Sequence, residues 1–254
     1  MIRRALVFTA PAAVLVACGP QQSQPASQTP GAQQQQQQPQ QQAGKPVRGG
    51  TLTIVMSRDA TNFDPVRQND AFSSSVMNSV VDTLYEIDAK GNVVGRLVEK
   101  TENPQPNVYV WSIRKGISFH DGTPLNAEAV KFNLQRHVDM TSSVRHQDVR
   151  DITAMDVTDP YTLKVTLRAP FGPFASKLTG GAGFILSPTA VQKLSEGLQR
   201  DLTGAGSGAY KFTAWQKDTS ITLDKSATYW KKDADGAALP YLDKVVFKPF
   251  PDEN

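Results

Sequence analysis

The sequence predicts a mixed α and β fold. Three observations carry that expectation. Short runs such as Val108 to Arg114 alternate side chains between two faces and read as half-buried strands. Other segments repeat apolar residues every three or four positions behind a capping residue and read as amphipathic helices. Strands and helices follow one another in irregular order, which favours an α+β or multi-lobe α/β arrangement over a simple doubly wound domain.

The first strand is Thr51 to Met56 (TLTIVM), rich in β-branched residues. It breaks at Ser57-Arg58-Asp59 into a polar loop ending in Asn62-Phe63-Asp64-Pro65. A helix is expected from Ala71 to Tyr85. Phe72, Val76, Val80 and Leu84 recur every fourth residue with Met77 and Val81 beside them, and Asn69 or Asp70 is placed to cap it. Asp88 to Asn92 reads as a turn. After the Val108 strand, His120-Asp121-Gly122-Thr123-Pro124 reads as another turn, in which Asp and Gly supply the chemistry. Asn126 then caps a helix running to about His137, with Glu128 in the first turn where negative charge is favoured.

The turn Thr158-Asp159-Pro160 leads into a strand from Tyr161 to Leu167. Ser187-Pro188 opens a further helix, with Pro at the first helical position, and Gly197 is expected to close it. Beyond the Gly-rich stretch Thr203 to Gly208, Tyr210 to Trp215 and Ser220 to Asp224 form a hairpin pair. Val245 to Pro249 is the last strand.

The N-terminus carries a different message. Arg3 and Arg4 precede an apolar stretch from Ala5 to Val16, followed by Leu15-Val16-Ala17-Cys18. A basic start, a short apolar core and small residues at the cut define a secretory signal, and the stretch is shorter than the ~20 residues that span a bilayer. LVAC resembles the lipobox of bacterial lipoproteins, in which the cysteine receives a diacylglyceryl group. Cys18, the only cysteine, is therefore the expected lipidation site. Two acyl chains, at ~0.8 kcal/mol per buried methylene, suffice for stable anchoring. Residues 18–49, Gln- and Pro-rich with a run from Gln33 to Gln38, are expected to be a disordered tether reaching roughly 30 Å. The expected location is the outer face of the cytoplasmic membrane.

Composition narrows the functions. The formal charge of +3 is nearly balanced and there is no basic stripe, so nucleic acid is not an expected partner. A lone cysteine excludes an internal disulfide and a multi-cysteine metal site. There is no G-x-S-x-G, H-E-x-x-H or P-loop. His137 and His146 are nine apart and read as exposed surface histidines rather than metal ligands. His120-Asp121 reads as a turn rather than a catalytic dyad. No enzyme activity, metal or cofactor is expected, because nothing clusters into a nucleophile, a base and an orienting group.

Three segments together resemble the extracellular solute-binding proteins of peptide-type ABC importers, family 5, which take peptides, dipeptides or nickel. The first is Gly49-Gly50-Thr51-Leu52 with Asn62-Phe63-Asp64-Pro65. The second runs from Trp111 through the His120-Asp121-Gly122-Thr123-Pro124 turn to Phe132. The third is Gly206-Ser207-Gly208-Ala209-Tyr210-Lys211-Phe212, followed by Tyr229-Trp230 and Pro240 to Val245. Where the family usually has Gly-Thr-Gly-Pro, Gly206-Ser207-Gly208-Ala209 keeps the hydroxyl and loses the fixed φ.

The resemblance implies a type II periplasmic-binding-protein-like fold. Residues 50–254 would be a partial solute-binding domain, with 50–84 and 179–254 in the first lobe and 85–178 as an inserted subdomain. It implies that Asn69, Asp70, Ala71 and Phe72 pair through their backbone with the ligand, and that Gly183 and Phe184 lie near the cleft. Family members continue for a comparable length beyond Asn254. The second lobe is thus expected to be missing and the chain to be a truncated form. The implied role is a monomeric receptor that presents a peptide-like solute to an ABC permease. The alternatives are a lipid-anchored sensor for a signalling partner and a non-functional fragment.

Overall fold

The computed structural model describes residues 46–250. Cys18, the signal segment, the tether up to residue 45 and the last four residues lie outside the described residues. No helix among the described residues is long and apolar enough to cross a membrane.

Two four-stranded sheets and a two-stranded hairpin organise the described residues. In the first, β1 (Thr51–Met56) lies at one edge and pairs in parallel with β10 (Lys244–Pro249), Thr53 opposite Val246. β9 (Ser220–Lys225) and β8 (Tyr210–Gln216) complete the order β1-β10-β9-β8 through antiparallel pairings. The first and last strands are therefore neighbours, and the expected 210–224 hairpin is present. The second sheet is wholly antiparallel. It contains β4 (Val98–Gln105), β5 (Val108–Ile113), β7 (Thr162–Leu167) and β6 (Ile152–Asp159), in the order β4-β5-β7-β6. A small hairpin, β2 (Tyr85–Ile87) with β3 (Val93–Gly95), turns at Asp88, whose carboxylate accepts the Lys90 and Asn92 N–H groups.

β4 and β6 were not expected from the sequence. Both are outer strands of their sheet and almost every residue in them is exposed except Val98, Ile152 and Met155. An edge strand with a solvated face has no apolar alternation to read, and charges there discourage pairing with other chains. Pro104 sits where the β4–β5 register slips between Glu102 and Gln105, a position a proline can occupy.

Helix α1 (Ala71–Val80) is shorter than expected. Val81 is already extended, and Tyr85 belongs to β2. Two causes act together. The Val80-Val81-Asp82-Thr83 run has poor helix propensity, and the backbone beyond it finds other partners. Leu84 N–H donates to the Gly183 carbonyl (3.0 Å), and the Asp82 carbonyl accepts from Ile185 N–H (3.1 Å). Leu84 thereby leaves the α1 face and packs in the apolar cluster of the second sheet.

Helix α2 (Ala127–Asp139) opens as expected, with the Asn126 side chain accepting from Ala129 N–H at 3.0 Å. Asn126→Ala removes that cap, with an expected loss of about 1 kcal/mol of stability. Urea unfolding should show a lowered midpoint at unchanged slope, and an unchanged midpoint would count against the cap's contribution. The buried face of α2 includes Val130, Asn133, Leu134 and His137. His137 is 1% exposed, which corrects the expectation of a surface histidine; His146 is half-buried. The reason lies in the periodicity: position 137 continues the 130-133-134 stripe, which its polar residue type concealed. His137 Nδ1 lies 2.9 Å from Ser143 Oγ, and His146 Nδ1 lies 3.0 Å from the His137 carbonyl oxygen. The short α3 (His146–Val149) follows.

Helix α4 (Phe174–Lys177) places Phe174 against Trp111, the rings stacked at 5.8 Å inside the second sheet's cluster. Helix α5 (Pro188–Leu194) begins as expected, Ser187 Oγ accepting from Ala190 N–H at 3.1 Å. Gly197 does not close it. Ser195, at φ 49°, ends the helix, and Gly197 falls inside a following 3-10 turn, Ser195–Gln199. A second apolar cluster joins the first sheet to α1 and α5 through Phe63, Met77, Phe184, Ile221 and Phe247.

Candidate functional site

Asn69, Asp70, Ala71 and Phe72 form the entry to α1, beyond the carboxyl end of β1. Asp70 is its cap: its carboxylate accepts the Ser73 N–H at 2.8 Å and the Thr61 hydroxyl at 2.6 Å. Partial burial opposes ionisation of Asp70. The bonds from the Ser73 N–H and the Thr61 and Ser73 hydroxyls outweigh it and hold the carboxyl below its usual range. Capping is thus met by Asp70, and Asn69 is left exposed beside it. The Asp70 carbonyl accepts from Ser74 N–H and from the Gln68 amide. Phe72 is half-buried and carries the Arg58 guanidinium over its ring at 4.8 Å.

The same end of the first sheet holds an open cavity of about 290 Å³. Its lining includes Ala60, Thr61, Arg200, Trp215 and Lys217. Thr61 links it to Asp70. Trp215 is fixed by its indole N–H, which donates to Asp59 Oδ2 at 2.9 Å, and by Phe63, whose ring centroid lies 4.8 Å away. Neither Arg200 nor Trp215 was singled out by sequence reasoning. Trp215 reads there as an ordinary strand residue, and Arg200 follows a turn that periodicity does not reveal.

Gly183 and Phe184 are buried, and Phe184 packs in the first sheet's cluster at 1% exposure. Thr83 pairs with Phe184, and a Cβ on Gly183 would overlap the Leu178 carbonyl. Both residues are built into the framework, and Phe72 packs against the same cluster as Phe184.

The other sequence motifs converge on one interior junction. The His120 turn is closed by Phe119 N–H donating to the Thr123 carbonyl (2.9 Å), with Gly122 at φ 86°. His120 N–H donates to Gly206 O (2.7 Å), and His120 Nε2 lies 3.0 Å from Gly208 O. Burial pushes the His120 imidazole down. Asp121 instead accepts from the Ser187 and Thr123 hydroxyls. The two side chains serve different partners, which is how a structural turn differs from a dyad. Gly206 and Gly208 lie flat against Val80: a Cβ on Gly206 would overlap its carbonyl, and Gly208 N–H donates to that same oxygen at 2.8 Å.

Asp82, fully buried, sits at the centre of this junction. It is ion-paired with Arg96 and accepts from Ser207 Oγ (3.0 Å) and Trp230 Nε1 (2.9 Å). Burial, with Asp82 close by, pushes the Tyr229 phenol well up. The Ser207 hydroxyl that replaces the family's usual threonine is therefore in use.

A family model described as bacterial extracellular solute-binding proteins, family 5 Middle, matches residues 92–254. The chain belongs to the family 5 solute-binding proteins. The glutathione-binding protein GsiB of Shigella flexneri is 31% identical over 205 residues, covering 80% of this chain and 39% of that relative. The DppA periplasmic binding protein of Helicobacter pylori, in complex with the peptide STSA, superposes with a TM-score of 0.69 at 27% identity. That match covers 81% of this chain and 43% of DppA. The oligopeptide-binding protein AppA of Bacillus subtilis, in complex with a nonapeptide, gives 0.72 at 26% identity, covering 82% and 41%. The family 5 chain described here thus has a type II periplasmic-binding-protein fold and spans about two fifths of the length of these relatives.

Proposed function

We propose that this chain is the ligand-facing first part of an ABC-importer substrate-binding protein that captures peptides or a related small solute for a membrane permease. The observation that carries this reading is the position of Asn69 to Phe72. The segment lies at the carboxyl end of β1 beside an open cavity, in a family whose relatives include DppA with a bound tetrapeptide and AppA with a bound nonapeptide. Ligands of open α/β sheets collect outside the carboxyl ends of the strands. Backbone pairing along the partly exposed entry to α1, where Asn69 and Ala71 face solvent, would hold a peptide without demanding one side-chain sequence.

The lobes follow from the same reading. Residues 50–84 and 179–254 form the first lobe and 85–178 the inserted subdomain. In support, the first sheet takes strands only from 51–56 and 210–249, and the second only from 98–167. Cys18 holds the receptor to the outer face of the cytoplasmic membrane, and the receptor acts as a monomer without chemistry of its own. Labelling cells with an alkyne fatty acid should mark the wild type and not Cys18→Ser; equal labelling would remove the anchor from this account.

Ligand class is tested by calorimetry on the full chain. Di- to pentapeptides, glutathione, a nickel–histidine complex and an oligosaccharide are titrated in turn. Saturable heat is expected with peptides. Saturation by the nickel complex or the sugar alone would sink the peptide reading.

A further inference from the structure

We propose that the Thr61–Trp215 cavity is an anion subsite that receives a carboxylate of the ligand, held between Arg200 and Lys217 over the Trp215 face. The inference rests on the reading of this end of the first sheet as ligand-facing, and it names what that surface selects.

Size comes first. Whole small-molecule sites run from about 300 to 1,000 Å³. A cavity of about 290 Å³ lies at the bottom of that range, room for a small acid or for one end of a larger ligand. Charge comes second. The charged residues in the lining are Arg200 and Lys217, both cations: Arg200 follows the 3-10 turn after α5, and Lys217 begins the β8–β9 turn. Among the described residues Arg200 makes no ion pair within 4.0 Å, and Lys217 reaches only the neighbouring exposed Asp218, at that limit.

Among the described residues the lining contains no acid, and the two partly buried carboxylates beside it are already occupied. Asp59 Oδ1 accepts the Ala60 N–H (2.8 Å), and Oδ2 accepts the Trp215 indole and the Asp218 N–H (2.9 and 2.8 Å). Asp70 is held by its capping bonds. These acids are engaged by Ala60, Trp215, Asp218 and the α1 cap, and neither pairs with Arg200 or Lys217 among the described residues. A guanidinium can clasp a carboxylate with two parallel N–H bonds, and an ammonium adds a point charge. Partial enclosure strengthens both relative to open water. Trp215, pinned by Asp59, supplies a fixed apolar floor for the methylenes that carry the acid.

The probe is glutarate, with glutaramide as its uncharged isostere. The protein has three tryptophans, so indole N–H cross-peaks in a ¹H–¹⁵N spectrum are few, and Trp215→Phe assigns the one required. In the full chain, glutarate should shift the Trp215 peak saturably and glutaramide should leave it in place. Arg200→Gln with Lys217→Gln should weaken the glutarate response at least tenfold, since both residues are exposed and carry little of the fold. A Trp215 peak that ignores glutarate, that moves equally with glutaramide, or that responds unchanged in the double variant would overturn the subsite. The peptide calorimetry reads separately. Peptides that bind without a preference for acidic groups defeat this inference alone, whereas a glutarate response with no peptide binding defeats the peptide reading alone.

Discussion

Asp82→Asn is expected to cost about 3–5 kcal/mol of folding stability, the range for leaving one member of a buried ion pair without its partner. Asp82 has no exposed surface and its two oxygens receive Arg96, Ser207 and Trp230, all of them donors. Asparagine preserves the volume but offers one acceptor oxygen and an NH₂ group, so a donor is turned toward donors. The Arg96 guanidinium, mostly buried, loses its nearest countercharge and keeps only Glu86 at 3.5 Å, which also serves Lys231 at 2.7 Å. The damage spreads because Asp82 lies just past α1, Arg96 follows β3, Ser207 precedes β8 and Trp230 follows β9. Urea unfolding measures it directly. A loss under 1 kcal/mol would show that water or rearrangement replaces the pair. Asp82→Leu combined with Arg96→Met should recover part of the loss, because an apolar replacement of a buried pair is often tolerated.

Acidification should weaken the fold well before its carboxylates titrate, by roughly 3 kcal/mol from His137 alone. Burial pushes the His137 imidazole down from 6.5 to about 4, with Arg136 and Arg145 adding positive charge nearby. The sign follows from which state binds the proton. Above pH 6.5 both states are neutral and the contribution is fully present. As pH falls from 6.5 toward 4 the unfolded chain gains a proton that the folded chain refuses, and stability drains away. Below about 4 both states are protonated and the loss stops growing. His120, also pushed down by burial, adds in the same direction. Asp70 and Asp121 are held below the ordinary 3.8, so their acid losses set in only below about pH 5 and leave the upper part of this window to the two histidines. Unfolding free energies measured in half-unit steps from pH 7.5 to 4 should fall along this curve in the wild type and along a flatter one in His137→Met. Equal slopes in the two proteins would remove His137 as the cause.

Much of the local structure was legible because its causes are local. Asn126 caps α2 through its own side chain, Ser187-Pro188 opens α5, and the His120 to Pro124 turn closes on itself, each within a few residues. The three segments that resemble family 5 were legible as motifs, and the structure supplies their shared purpose: Gly206 and Gly208 lie against Val80, and the His120 turn hangs from their carbonyls. What escaped reading has a common character. β4 and β6 are polar edge strands whose pairing is decided by a neighbour's hydrogen bonds. α1 stops at Val80 because residues 183–185 compete for the backbone beyond it. His137 looked like a surface residue because a polar type was standing in an apolar stripe. Of the candidate ligand contacts, Asn69 and Ala71 are exposed, Asp70 and Phe72 half-buried, and Gly183 and Phe184 buried.

By itself, the sequence determined the element types, most caps and turns, the family, and the expectation of export through Cys18. These depend on periodicity, propensity and motif, which act along the chain. Only the tertiary structure decided that β1 pairs with β10, that Asp82 joins three other segments through Arg96, Ser207 and Trp230, and that Arg200 and Lys217 line one cavity with Trp215. Each of those is a contact between residues far apart in sequence, where the free energy comes from burial and charge pairing in three dimensions and leaves no period to read.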